Sequence, residues 1–285
     1  MNSACPLPAS TSDAQAPCAP QAVPLKGGLA RGTLFNLYFL LLTLAMGLAA
    51  LPIRATRNQA LALRYAQRWA RAVLWGFEHL CHVPVKVTGQ AHLQENIRGG
   101  KPMLILAQHQ SFFDGFIWMN LVPRPAYVIK QELTRIPLVG PMLILAGMIP
   151  IDRKGGAAAL KTMMEAVLKA QSEGRQVILF PQGTRTQPGE HVPLQAGAAA
   201  LVRQAASQGR PPAVMPAITD SGLSWPRSPW RKHAVPLHVV VGTPLAVEGL
   251  KSRAVLEATQ AAWSKLEASS GVNHKALPRI APDRP

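Results

Sequence analysis

Met103-Leu-Ile-Leu-Ala-Gln-His-Gln-Ser-Phe-Phe-Asp-Gly-Phe-Ile-Trp-Met-Asn120 changes character partway along. Its first five residues are an apolar run of strand length, reached through Lys101-Pro102, and its last part suits a helix whose first turn lies near Ser111 and Phe112. A strand that meets a helix across a short polar bend puts His109 at the carboxyl edge of the strand, where α/β sheets carry their chemistry. Asp114 is able to return across that bend to the imidazole. A histidine with one nitrogen facing a carboxylate has its tautomer fixed and its basicity raised, and its other nitrogen can take a proton from a hydroxyl near neutral pH. The plainer alternative is a strand-end histidine capped by a neighbouring aspartate. Ser111 lacks the context of a nucleophile elbow and reads as a helix N-cap, so the hydroxyl to be activated is the substrate's own.

Working outward, the chain from about residue 83 alternates short apolar runs with longer Ala-rich stretches. Strands are expected at Val83 to Val87, Met103 to Ala107, Ala126 to Lys130, Met148 to Ile151, Val177 to Phe180, Ala213 to Ala217 and Leu237 to Val241. Helices are expected at about 112–121, 137–146, 156–172, 195–207 and 251–268. This interleaving predicts an α/β fold, a parallel or mixed sheet flanked by helices. Pro137-Leu-Val-Gly-Pro-Met-Leu-Ile-Leu-Ala-Gly-Met-Ile-Pro-Ile151 is apolar but short and broken by prolines, and it reads as a buried helix followed by a strand rather than a membrane span.

Ahead of this domain, residues 1 to about 24 are rich in Pro, Ala and Ser and read as a disordered tail. Residues 34–53 then carry no charge between Arg31 and Arg54, the length of a bilayer span. The next stretch, Asn58 to Cys81, is amphipathic at helical spacing. Arg64, Gln67, Arg68, Arg71, Glu78 and His79 fall on one side, and Leu63, Ala66, Trp69, Val73, Phe77 and Leu80 on the other. Such a helix suits the headgroup layer or the flank of a folded domain. Arg54, Arg57, Arg64, Arg68 and Arg71 outnumber Lys26 and Arg31 on the other flank, so the following domain is expected on the cytoplasmic side, an N-terminal membrane-anchoring helical segment leading into it.

The 285 residues carry a net charge of +16, from 30 Lys and Arg against 14 Asp and Glu, which suits an anionic membrane face, acidic partners or nucleic acid. The basic residues are scattered. Only Trp225-Pro-Arg-Ser-Pro-Trp-Arg-Lys-His233 clusters basic with aromatic side chains, and no nucleic-acid motif accompanies it, so no nucleic-acid partner is expected. Cys5, Cys18 and Cys81 have no paired or metal-ligand spacing, and no metal site is expected.

Three more strand ends bear polar groups. Lys130 closes one and Asp152-Arg153 another. Phe180-Pro-Gln-Gly-Thr-Arg-Thr186 closes the third, with a turn through Gly183 and Thr184 that offers backbone N–H groups to an anion and Arg185 as a guanidinium fork. With His109 they suggest a hydroxyl-bearing substrate that also carries phosphate, held by Arg153 and Arg185 with Lys130 as a further candidate.

These blocks resemble the glycerolipid acyltransferases typified by bacterial 1-acylglycerol-3-phosphate acyltransferase. The family's His-x-Ser-x-x-Asp is His109-Gln-Ser-Phe-Phe-Asp114. Its second region is matched by Lys130 to Gly140 and on to Arg153, its Phe-Pro-Glu-Gly-Thr-Arg by Phe180-Pro-Gln-Gly-Thr-Arg185, and its proline within an apolar strand by Val214-Met-Pro-Ala217. The resemblance implies His109 as base, Asp114 as its orienting partner, and Arg153, Gly183 and Arg185 in binding the phosphorylated acceptor. The resemblance spans roughly residues 80–245, and with the tail and anchor read above the chain is expected to divide into a tail at 1–30, transmembrane and amphipathic anchor helices at 31–81, and an acyltransferase domain at 82–285. The departure is Gln182, where the family commonly has Glu; a neutral amide there shifts acceptor preference or alters local pairing.

The chemistry implied is acyl transfer from an acyl-CoA or acyl carrier protein thioester to the sn-2 hydroxyl of 1-acyl-sn-glycerol-3-phosphate (lysophosphatidic acid), giving phosphatidic acid at a bacterial inner membrane rich in anionic lipids. No tightly bound cofactor is required. Glycerol-3-phosphate or a lyso-aminolipid is the alternative acceptor. A membrane-tethered basic binding protein and a lipid hydrolase are the readings from other classes.

Overall fold

The computed structural model describes residues 28–152, 154–228, 230–270 and 272. The expected tails and Arg153 lie outside the described residues, apart from Gly28 to Ala30, which belong to a helix. The chain opens with α1 (Gly28–Ala49), α2 (Leu51–Thr56) and α3 (Gln59–Cys81). It continues through β1 (Val85–Thr88), α4 (Gln90–Arg98), β2 (Met103–Ala107), α5 (Phe113–Leu121) and β3 (Pro125–Lys130). A 3-10 turn at Gln131–Arg135 leads into α6 (Val139–Leu145), β4 (Ile149–Ile151), α7 (Gly156–Ser172), β5 (Gln176–Leu179) and α8 (Ala196–Ser207). The last elements are β6 (Ala213–Thr219), α9 (Ser221–Ser224), β7 (Leu237–Val241) and α10 (Ser252–Ser270).

Each expected strand is present, and together they make one sheet in the order β1-β7-β6-β2-β5-β3-β4. All neighbours are parallel except β6 and β7, which are antiparallel, so the sheet is mixed. The continuous apolar run of β2 follows from its place at the centre. Met103, Ile105 and Ala107 meet the core under α3 and α5, while Leu104 and Leu106 meet the core under α7 and α8.

Three expectations are corrected. Helix α4 was missed because only Leu93 of its nine residues is buried, too little apolar signal to show a period. The helix expected at 137–146 begins only at Val139, because Leu138 holds a positive φ of 64° and Gly140 packs so tightly that a Cβ there would lie 2.1 Å from the Thr134 carbonyl. The span expected at 34–53 is instead α1 at Gly28–Ala49, followed by a break at Ala50. Pro52 sits in the first turn of α2 and has no N–H to continue the ladder. The chain then reverses through Arg57, in the left-handed region, and Asn58, whose Oδ1 accepts the Leu61 N–H and caps α3.

Helix α1 is long and apolar enough to cross a membrane. One stripe of it packs on protein along its whole length. Phe35 is fully buried against Phe77 and Trp225, Gly32 lies against the Trp230 carbonyl, and Tyr38 Oη donates to Ala72 O. Further along, Trp69 Nε1 donates to Thr43 Oγ1 and Tyr65 Oη to Met46 O. Lys232 closes the joint between the Trp225 and Phe35 rings, with its ammonium 3.4 Å from Asn36 Oδ1, and burial pushes its pKa down to about 8. The opposite stripe of α1 carries exposed Leu34, Leu37, Leu40, Leu41, Leu44 and Leu48. For α3, the flank-of-a-domain alternative describes its apolar face, while Arg64, Arg68 and Arg71 are exposed.

Arg175 fastens the strand layer on the other side of the site. Its guanidinium is buried and donates to the carbonyls of Gly147, Pro125 and Ala146, tying β5 to the β3 entrance and the α6–β4 turn. Arg175→Met leaves those carbonyls without their donor and lowers the unfolding free energy by about 2 kcal/mol. Denaturant titration of the purified variant checks the value, and a loss within a few tenths of wild type would reject it.

Candidate active site

Strand β2 ends at Ala107, and the alternation of its side chains continues into the bend. Gln108 turns to the α10 side, where Nε2 donates to Glu267 Oε1 at 2.8 Å, and its Oε1 accepts Thr219 N–H. His109 turns the other way, to the start of α5. Its Nδ1 lies 3.0 Å from Asp114 Oδ2, its ring stacks on Phe180 at 4.3 Å between centroids, and the side chain is 24% exposed. Because a carboxylate oxygen only accepts, Nδ1 carries the proton and Nε2 is left as the acceptor for a substrate hydroxyl.

Asp114 is buried and saturated. Its Oδ2 also accepts the N–H groups of Gln110 and Ser111 at 2.7 and 2.9 Å, and its Oδ1 accepts Ser221 Oγ at 2.6 Å. Ser111 Oγ accepts the Phe113 N–H at 3.1 Å, but the N-cap position of α5 is Phe112, so the serine expected as N-cap sits one residue ahead of it.

The Phe180 to Thr186 turn meets this bend from β5, the neighbouring strand. Gly183 takes a φ of 72°, which a residue with a side chain rarely adopts, and its N–H donates to Phe180 O. Gln182 is buried, and it grips the base. Its Oε1 accepts the His109 N–H at 2.7 Å and its Nε2 donates to Thr186 Oγ1, while Thr186 gives both its N–H and its hydroxyl to His109 O. The amide in place of the usual acid thus serves local pairing, with one donor and one acceptor used in a closed ring of hydrogen bonds.

Arg185 lies over the Phe112 ring at 4.4 Å, and its buried Nη1 has no hydrogen-bond partner among the described residues. Burial lowers its pKa, the positive charge of Arg227 lowers it further, and Asp114 pulls the other way, which places this guanidinium in the neighbourhood of the dyad. Thr184 is exposed on the same turn. Lys130 closes β3 at the same sheet edge, but its ammonium is spent on Glu132 Oε1 at 3.1 Å, both side chains about half exposed. The site contacts that spacing could not reveal are those of Ser221, Thr186, Phe180 and Phe112, which arrive from separate elements or by stacking.

The chain matches the Acyltransferase family model over residues 84–219. It is 31% identical to the 1-acyl-sn-glycerol-3-phosphate acyltransferase of Pseudomonas aeruginosa, across 69% of this chain and 72% of the relative. It is 32% identical to the enzyme of that name from Limnanthes douglasii and 29% identical to the human alpha form, in each case over 57% of this chain and 55% of the relative, so it spans little more than half of those two proteins. The crystal structure of the 1-acyl-sn-glycerophosphate acyltransferase from Thermotoga maritima superposes with a TM-score of 0.65 over 85% of this chain and 97% of that one, at 20% identity, a likeness of fold. With the His109–Asp114 dyad, the Phe180 to Arg185 turn and the strand proline Pro216 in one sheet edge, and with these relatives, the chain belongs to the glycerolipid acyltransferase family.

Proposed function

We propose that this enzyme transfers an acyl group from acyl-CoA or acyl carrier protein to the sn-2 hydroxyl of 1-acyl-sn-glycerol-3-phosphate, forming phosphatidic acid. The observation that carries this reading is the His109 imidazole, pinned through Nδ1 to a fully satisfied carboxylate, which leaves Nε2 as the acceptor. Nε2 takes the hydroxyl proton as the oxygen attacks the thioester carbonyl, and Asp114 stabilises the imidazolium that results. The C–S bond then breaks as the ester C–O bond is completed. The thiolate, a far better leaving group than an alkoxide, departs with the proton returned by His109 or taken from water.

The N–H groups of His109, Gln110, Ser111 and Phe113 are committed within the protein, as is that of Gly183, and Pro181 has none, so the donors assigned to the oxyanion are the N–H groups of Gln182 and Thr184. Arg185 holds the acceptor phosphate, with Arg153 and Lys130 as further partners. The test is an activity matrix of purified enzyme in vesicles, with lysophosphatidic acid, glycerol-3-phosphate and a lyso-aminolipid each offered with both thioesters. Phosphatidic acid is the expected principal product. Preferential acylation of either other acceptor would reject the assignment.

The enzyme is membrane-associated, and α1 supplies the contact. Standing α1 upright through a hydrocarbon layer about 30 Å thick would carry α3, with Arg64, Arg68 and Arg71, in beside it, at a cost of several kcal/mol. We therefore place α1 along one leaflet, its leucine stripe among acyl chains and the arginines of α3 at anionic headgroups on the cytoplasmic side. Replacing Leu37, Leu41 and Leu44 together by Ser removes about 3 kcal/mol of apolar contact and lowers vesicle partitioning about 100-fold. Flotation with anionic vesicles measures this. Unchanged flotation would dismiss the leucine stripe as the contact.

A further inference from the structure

We infer that Ser221 is a positioning residue of the catalytic unit, acting on His109 through Asp114. The inference rests on the reading of His109 as base. Ser221 has no exposed surface, and its Oγ lies 2.6 Å from Asp114 Oδ1, where a carboxylate oxygen can only accept. The other three donors to Asp114, the ring of His109 and the N–H groups of Gln110 and Ser111, all converge on Oδ2 and all come from the same short bend. These three donors hold Oδ2, but only as firmly as the short bend that carries all of them. The donor to the second oxygen arrives from a different element and ties the carboxylate to it, so that Asp114 is held from outside the bend as well.

The support from which the hydroxyl projects is itself fixed. Ser221 follows β6, and its N–H donates to Thr219 Oγ1. The preceding residue, Asp220, is held through both oxygens by His238 of β7, by its N–H at 2.6 Å and its Nδ1 at 2.7 Å. The following residue, Gly222, donates its N–H to Gln110 Oε1, inside the catalytic bend. The β6–α9 turn therefore grips the bend at two points, and Ser221 is the one that reaches the carboxylate. When His109 takes a proton, Asp114 has to stay in line with Nδ1–H as the charge forms, and an orienting hydrogen bond to a charged group is among the stronger ones.

The experiment uses full-length enzyme in vesicles, with kcat and both KM values measured for Ser221→Ala, Ser221→Cys, Asp114→Asn and the Ser221→Ala/Asp114→Asn pair, and melting temperatures as controls. Ser221→Ala is expected to lower kcat about 10- to 100-fold with acceptor and donor KM unchanged. Ser221→Cys, nearly the same size with a weak donor, is expected to fall between it and wild type, and serves alone if the alanine variant does not fold. In the Asp114→Asn background the alanine change is expected to cost no more than about twofold, because the group it acts through has already been altered. An unaffected kcat in a folded Ser221→Ala enzyme, or the same loss with and without Asp114, would overturn the inference. If His109→Ala also kept its activity, the base reading would fall and this inference with it; an inactive His109→Ala enzyme beside a fully active Ser221→Ala enzyme would remove this inference alone.

Discussion

Replacing His109 with Ala is expected to lower kcat about 10²- to 10⁴-fold, the range that a positioned general base contributes, while acceptor and donor KM change little. The expectation follows from where the ring sits. Its Nδ1 is committed to Asp114, its face lies on Phe180, and its backbone is clamped by Gln182 and Thr186, so the remaining freedom of the residue is the chemistry at Nε2. Folding does not depend on the imidazole to the same degree, because the His109 backbone N–H and carbonyl keep their partners in the alanine variant. A melting temperature close to wild type should accompany the loss. Asp114→Asn is expected to be less severe or comparable, since an amide oxygen in the place of Oδ2 can keep the three donors but carries no negative charge to stabilise the imidazolium. A folded His109→Ala enzyme that turns over near the wild-type rate would end the mechanism.

Arg185→Ala is expected to cost about 1.5 to 3 kcal/mol in kcat/KM for the acceptor, because a charge-assisted contact to the phosphate would be lost from a half-buried side chain. The donor KM should stay near wild type. Arg185 is half-buried over Phe112, and its Nη1 has no hydrogen-bond partner among the described residues, an arrangement that suits an incoming anion. Arg185→Lys separates charge from shape. An ammonium keeps the charge but loses the planar fork and the stack on Phe112, so it should recover only part of the loss. Steady-state series with the acceptor varied at fixed donor, and the reverse, give the two KM values. A defect confined to the donor would move Arg185 out of the phosphate site.

Much of this was legible before any coordinates. The central strands β2 and β6 could be found because strands buried on both faces are apolar nearly throughout, while β1 showed itself by alternation, Val85 and Val87 flanking the exposed Lys86. The His109–Asp114 pair lies within one bend, so its geometry is local, and a local geometry is written in the spacing of neighbouring residues. The edges of elements were less visible. Helix α4 buries a single leucine, the break between α1 and α2 falls beside Pro52, and the start of α6 depends on Leu138 and on Gly140 meeting the Thr134 carbonyl.

By itself, the sequence determined the α/β class, the order of the strand-end blocks and the pairing of a base with its carboxylate, since each depends on residues near one another along the chain. Only the tertiary structure decided that Ser221, 107 positions from Asp114, completes that carboxylate, that Gln182 grips the His109 peptide, and that α1 lies against the domain along its length. These contacts join elements far apart in the chain. Their partners are set by strand order and helix packing, which no local spacing encodes.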